Sequence, residues 1–140
     1  MKIFVTGASG LIGSKLCADL LAEGHQVSGL SRQPRSGGPE WVQGDASQPG
    51  SWTDVAATAD AIFHLAGEGV AEGRWTKTRK RALVRSRIDA TRVLVDALAA
   101  ARRRPELLVS ASACVYYGSR GEEELTESSS PGRDFLARLC

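Results

Sequence analysis

The sequence predicts an α/β fold, a doubly wound parallel sheet truncated after its fifth strand. Three observations predict it. The apolar run Ile3-Phe4-Val5 opens directly into a turn with glycine at positions 7, 10 and 13, and then into an amphipathic segment. Strand-like runs alternate with helical patterns along most of the chain, the order that forces parallel strands joined by crossover helices. Residues Ala61 to Gly67 are apolar almost throughout, as expected of a strand covered on both faces.

The elements follow in order. After the first strand, Ile12, Leu16 and Leu20 recur at a spacing of four, with Cys17 and Leu21 beside them. Gly13 shares a face with Leu16, Cys17 and Leu20, where a helix presses closely on the sheet. Glu23-Gly24-His25 ends this helix, with Gly24 free to take the left-handed cap conformation. Gln26 to Leu30 reads as the second strand, 31–39 as a loop and Glu40 to Asp45 as a short third strand. Asp54 to Ala59 reads as a short helix before the strand at 61–67. A long helix is expected from Trp75 to Ala101, burying Val84, Ile88, Thr91, Val95 and Leu98. Pro105 stops it, and Leu107 to Ala111 makes the fifth strand. Gly118 to Arg133 is a polar, acidic loop, and Asp134 to Cys140 starts another helix.

A two-halved nucleotide fold normally continues with further strands. The chain therefore reads as one incomplete cofactor domain over 1–140, the N-terminal part of something longer, without a substrate domain. An open fifth strand invites pairing with another copy.

Composition narrows the function. The net charge of +2 argues against a field strong enough for nucleic acid, and no apolar stretch is long enough to span a bilayer. Cys17, Cys114 and Cys140 are odd in number and widely spaced, and His25 and His64 fit no ligand spacing. These features predict a reducing, cytoplasmic setting, with neither disulfides nor a metal.

The segment Thr6-Gly7-Ala8-Ser9-Gly10-Leu11-Ile12-Gly13 carries the chemistry. Gly7 permits a tight turn, Gly10 lets backbone approach a phosphate, and Gly13 allows close packing of helix on strand. The N–H groups of Ser9 to Gly13, at a helix start, then suit a dinucleotide pyrophosphate. The end of the second strand decides which dinucleotide. No Asp or Glu occurs between Glu23 and Glu40, while Arg32 and Arg35 follow Ser31. A carboxylate there would bond a ribose 2′-hydroxyl, whereas a guanidinium grips a 2′-phosphate, so NADP is favoured and NAD stays open. Asp45-Ala46 offers a weaker contact to the adenine edge.

Taken together, Thr6 to Gly13, His64-Leu65-Ala66-Gly67 and Ser110-Ala111-Ser112 with Tyr117-Gly118 resemble an extended or atypical short-chain dehydrogenase/reductase. Leu65 to Glu68, Gly73 to Thr76, Ser86-Arg87 and Tyr116 to Gly118 narrow the resemblance. They match the branch of NAD-dependent epimerase/dehydratase-like proteins sometimes labelled cell-division-inhibitor homologues. The resemblance implies a Rossmann cofactor domain in which Leu65, Ala66 and Gly67 pass beside the cofactor at the switch point of the sheet. It implies Ser110 and Ser112 near the reacting end, Ser112 as the assisting serine, with Ala113 as the alternative register. It also implies a C-terminal substrate domain.

The departures from the family pattern are chemical. The family pairs a Tyr with a Lys four residues later, the Lys bringing the phenol toward working pH. Here the last lysine is Lys80, the only tyrosines are Tyr116 and Tyr117, and there is no asparagine. Arg87 stands where the family's Asn would fall on the long helix, pointing either at the cofactor or, with Arg74, Lys77, Arg79, Lys80, Arg81 and Arg85, out to solvent. Tyr116-x-x-x-Arg120 does not replace the pair, because arginine is not deprotonated. Two readings follow. One is an NADP-dependent oxidoreductase or epimerase acting on an unknown small molecule, with Ser112, Glu68 or Tyr117 as polar contacts. The other is a non-catalytic NADP-binding module acting as a sensor or regulator.

Overall fold

The computed structural model describes residues 1–71 and 73–140. It divides into two units, Met1–Ser110 and Ala111–Cys140. The first is a five-stranded parallel sheet with strand order β3-β2-β1-β4-β5. Its strands are β1 (Lys2–Thr6), β2 (Gln26–Ser31), β3 (Glu40–Gln43), β4 (Ala61–His64) and β5 (Leu107–Ser110). The helices between them are α1 (Leu11–Ala22), α2 (Ser51–Ala56), α3 (Lys77–Val84) and α4 (Ala90–Ala100). The order reverses at β1, so the crevice beyond the C-terminal ends of β1 and β4 is the switch point at which open parallel sheets place ligands.

Alternation along the strands builds two cores. Ile3 and Val5 point to one face and join Ala8, Cys17, Val27 and Ala61 under α1. Phe4 and Ile62 point to the other and join Leu30, Trp52, Ala56, Leu94 and Leu98 under α2 and α4. There the Phe4 and Trp52 rings stack with centroids 6.1 Å apart and planes 10° from parallel. Both faces of β1 are therefore covered, which is why its apolar run is continuous.

Three helices differ from expectation. Leu11 and Ile12 are exposed, and the buried line of α1 runs through Gly13 and Cys17, with Leu20 and Leu21 packed at its side. The long helix is real but not uniform, for Arg85–Asp89 is a π-helical turn between α3 and α4. Its buried positions are Leu83, Ala90, Leu94 and Leu98, whereas Ile88 and Val95 are exposed and Val84 is only half-buried. The wider π turn shifts the 3.6-residue register, so a stripe read at a constant period loses the core face. The short helix starts at Ser51 rather than Asp54, which brings Trp52 into the core. Thr76 caps α3 by accepting the Arg79 N–H. Gly24 takes φ +82° at the end of α1.

The second unit holds a 3₁₀ turn at Cys114–Tyr117 and the helix α5 (Phe135–Leu139). Arg120 ties its loop together, donating to Tyr117 O, Ser130 O and Ser130 Oγ and pairing with Glu123. The Tyr116 and Tyr117 rings meet edge to face at 5.1 Å. Asp134 caps α5 by accepting the Ala137 N–H at 2.9 Å. No helix among the described residues is long and apolar enough to cross a membrane.

Candidate functional site

A cleft of about 240 Å³ opens at the switch point. Gly7, Ser9 and Gly10 form its floor, Leu30 to Arg32 and Gly44 to Ser47 one wall, and Leu65 to Glu68 with Ser86 the other. The floor depends on glycine. Gly7 has φ +68°, and a methyl group there would stand 2.6 Å from Leu65 O. At Gly13 it would stand 2.2 Å from Gly7 O, so α1 lies against the turn with no room for a side chain. The turn closes with the Gly10 N–H donating to Gly7 O at 2.9 Å. No side chain caps α1, and no acidic residue occupies its first turn. The first-turn N–H groups and the positive end of the helix therefore stand at the cleft with no carboxylate in that turn, an arrangement that fits a diphosphate.

Thr6 organises the opposite wall. Its buried hydroxyl accepts the N–H groups of Leu65 and Ala66, each at 3.1 Å, and lies 2.8 Å from His64 Nδ1. The β4 chain thus turns away from the sheet over β1 as a hydrogen-bonded loop rather than continuing as strand to Gly67.

The loop after β2 carries Arg32. Buried Ser31 sets it with a local turn, donating to Gln33 O at 2.8 Å and accepting the Gln33 N–H at 3.2 Å. Arg32 lines the cleft and reaches across it to Glu68 at 3.0 Å. Arg35 instead lies over the Trp41 ring, 5.5 Å from its centroid. Asp45 accepts from Ser47 N–H and Ser47 Oγ at 2.9 and 2.7 Å. Burial pushes its carboxyl up, but Ser47, Arg85 and Arg32 together outweigh this and hold it below the usual aspartate value. Glu68 is also held low, first by its hydrogen bond to Arg79 at 3.1 Å and then by Arg32, against the opposing effect of burial.

The helical basic cluster is only partly a solvated face. Arg79 pairs with Glu68, Arg85 donates to Ser47 Oγ at 2.9 Å, and Arg87 donates to Glu68 O at 3.0 Å. Three of its members thus secure the rim of the cleft. The π turn carries Arg85 and Arg87, the kind of irregularity often found at functional sites.

The structure brings Gly7, Ser9, Gly10, Ser31, Arg32, Asp45, Leu65, Ala66 and Gly67 together around one cleft. Leu11, Ile12 and Gly13 lie beside it on the first turn of α1. Arg87 sits behind Gly67 rather than among the lining residues, and Ser110 ends β5 in register with His64. Ser112 belongs to the second unit. Ser47 and Ser86 line the cleft unanticipated; isolated serines in loops and helices carry no pattern of their own.

The sequence matches the NAD dependent epimerase/dehydratase family over residues 3–135. The chain belongs to that family, and its sheet is of the Rossmann type. An epimerase family protein of Mycobacterium bovis is 38% identical over 141 residues, covering 99% of this chain and 45% of that protein. The human epimerase family protein SDR39U1 is 34% identical over 141 residues, covering 96% of this chain and 44% of its own length. The crystal structure of human SDR39U1 with NADPH superposes with a TM-score of 0.82 at 31% identity, covering 99% of this chain and 46% of that one. MoeE5 in complex with UDP-glucose and NAD gives a TM-score of 0.83 at 28% identity, covering 99% and 45%. The chain thus spans a little under half the length of these relatives.

Proposed function

We propose that this chain is the cofactor-holding part of an epimerase-like short-chain oxidoreductase that takes NADP in preference to NAD. One observation carries the preference: Arg32 lines the cleft at the end of β2, where no carboxylate of β2 stands beside it. The human relative was crystallised with NADPH and MoeE5 with NAD, so a nicotinamide dinucleotide suits the family and the residue at this wall selects between the two.

In this reading the N–H groups of Ser9, Leu11, Ile12 and Gly13 hold the pyrophosphate, with Gly10 leaving room for its approach while its own N–H closes the turn on Gly7 O. Ser31 and Arg32 hold the adenosine ribose end, Asp45 and Ala46 meet the adenine edge, and Leu65, Ala66 and Gly67 form the wall along the cofactor. A nicotinamide dinucleotide supplies a hydride acceptor or donor when bound. The chain's own part is to fix its position and exclude water from one side, with Ser110 at the end of β5 as a polar group toward the reacting end. The substrate in this reading is a small molecule. The free cysteines Cys17, Cys114 and Cys140 suit a reducing compartment such as the cytoplasm.

Binding of NADPH and NADH to the intact protein tests the preference. Arg32→Ala should lower the NADPH-to-NADH affinity ratio about tenfold, as loss of a charge-assisted contact would. An unchanged ratio removes the NADP reading. Hydride exchange from 4-labelled NADPH into a panel of carbonyl compounds tests the oxidoreductase, and failure across a broad panel favours a binding module.

A further inference from the structure

Glu68 is bound by two arginines from opposite directions. Arg79, four-fifths buried at its side chain, holds one carboxylate oxygen at 3.1 Å. Arg32, with a side chain 72% exposed, holds the other at 3.0 Å from across the cleft. A third arginine, Arg87, donates to the Glu68 backbone carbonyl at 3.0 Å, and the Glu68 N–H donates to Ser86 Oγ at 3.0 Å. The carboxylate is therefore fixed on the β4 side, and the Arg32 side chain is its exposed partner.

From this geometry we infer that Glu68 is a specificity-setting residue, which competes with a cofactor 2′-phosphate for the Arg32 guanidinium. The inference rests on the NADP reading above. Nicotinamide cofactors divide at this point on whether a ribose hydroxyl or a phosphate must be satisfied. Proteins that favour the hydroxyl carry an acid at the end of β2. Here β2 carries the arginine, and the acid comes to it from the loop after β4.

When Arg32 turns to a phosphate, Glu68 keeps its contact with Arg79 and is not stranded. The exchange thus trades one exposed ion pair for another, and only the difference between them appears as affinity. Exposed pairs are weak, so the penalty that Glu68 sets on NADP is small but selective. NAD, which asks nothing of Arg32, does not meet it. The consequence is a site whose preference for the phosphate is moderated from within the cleft.

The test is a set of affinities for NADPH and NADH, measured by titration on the intact protein in wild type, Glu68→Gln, Arg32→Ala and the double variant. Glu68→Gln should tighten NADPH by about two- to fivefold and leave NADH where it was. In the Arg32→Ala background the same change should alter neither affinity. Should Glu68→Gln leave the NADPH-to-NADH ratio unchanged while Arg32→Ala lowers it, Glu68 is no competitor and the NADP reading survives. Equal loss of both affinities in Glu68→Gln overturns the inference too, since that marks a loosened loop. If Arg32→Ala itself fails to lower the ratio, the NADP reading falls and takes this inference with it.

Discussion

Thr6 and His64, the last residues of adjacent strands, fix each other's protons. The Thr6 hydroxyl accepts two backbone N–H groups, from Leu65 and Ala66, which uses both of its lone pairs. Its one proton is left for His64 Nδ1, 2.8 Å away. The imidazole must then carry its own proton on Nε2, which donates to Thr91 Oγ1 at 3.1 Å. A single buried hydroxyl thereby joins β1, the cleft wall and α4. Removing it should cost more than removing the far end of the chain. Thr6→Val strands the Ala66 N–H and a histidine nitrogen, while the Leu65 N–H keeps its 3.2 Å bond to the Thr6 carbonyl; the cost is about 2 kcal/mol or more, whereas Thr91→Val leaves a single lost bond of about 1 kcal/mol. Chemical denaturation of the two variants gives the comparison, and equal losses would show that the Thr6 hydroxyl has no special standing.

The same geometry gives a pH dependence. Burial lowers the His64 pKa, and its Nδ1 has no acceptor to give a second proton to. The unfolded chain binds that proton near the ordinary histidine value of about 6.5, and the folded chain does so only lower. The His64 contribution is thus complete above about pH 6.5 and is lost as pH falls from there through the folded pKa, at no more than about 1.4 kcal/mol per pH unit. Thermal melts between pH 8 and 5 should show wild type losing stability more steeply than His64→Gln below pH 6.5. Parallel curves would mean that His64 is not held neutral.

Much of this was legible in the sequence, for reasons that differ by element. The strands and the glycine turn were readable because each rests on local chemistry: Ile3 to Val5 alternate between two covered faces, and Gly7 takes φ +68°. The helix at 77–100 was readable as a helix but not in its burial, because the π turn at Arg85–Asp89 is invisible to a search at constant period. Cleft residues within the motif were found. The cross-chain links were not, since Arg85 with Ser47 and Arg32 with Glu68 pair over 38 and 36 residues of separation. Nothing local in the sequence marks such partners.

The glycines make a graded prediction. At Gly13 a methyl group meets Gly7 O at 2.2 Å, a backbone atom that cannot step aside. At Gly24 a methyl group meets nothing within 4 Å, and only φ +82° opposes it. Gly13→Ala is expected to cost about 3 kcal/mol or more and to weaken dinucleotide binding. Gly24→Ala should cost about 1 kcal/mol, the penalty of a left-handed residue, with binding intact. Denaturation midpoints and NADPH titration on both variants check this. Equal stability losses would mean that α1 does not press on the turn as tightly as these distances require.

Arg87 and Gly67 are expected to behave as one unit. The guanidinium carbon lies 3.2 Å from where a Gly67 methyl group would stand, and Nη2 donates to the carbonyl of Glu68, the next residue along. Gly67→Ala must therefore push the guanidinium by a few tenths of an ångström, straining the bond that holds the cleft wall. Arg87→Met removes that bond and the planar group together, at a cost of about 1–2 kcal/mol. It also leaves a flexible side chain that can yield to the new methyl group. Gly67→Ala should accordingly cost less in the Arg87→Met background than in wild type, with a coupling of about 0.5–1 kcal/mol. A double-mutant cycle in urea, with NADPH affinity measured alongside, supplies the four values. Strict additivity would mean that Arg87 supports the wall without touching Gly67, and that the glycine there answers to the ligand alone.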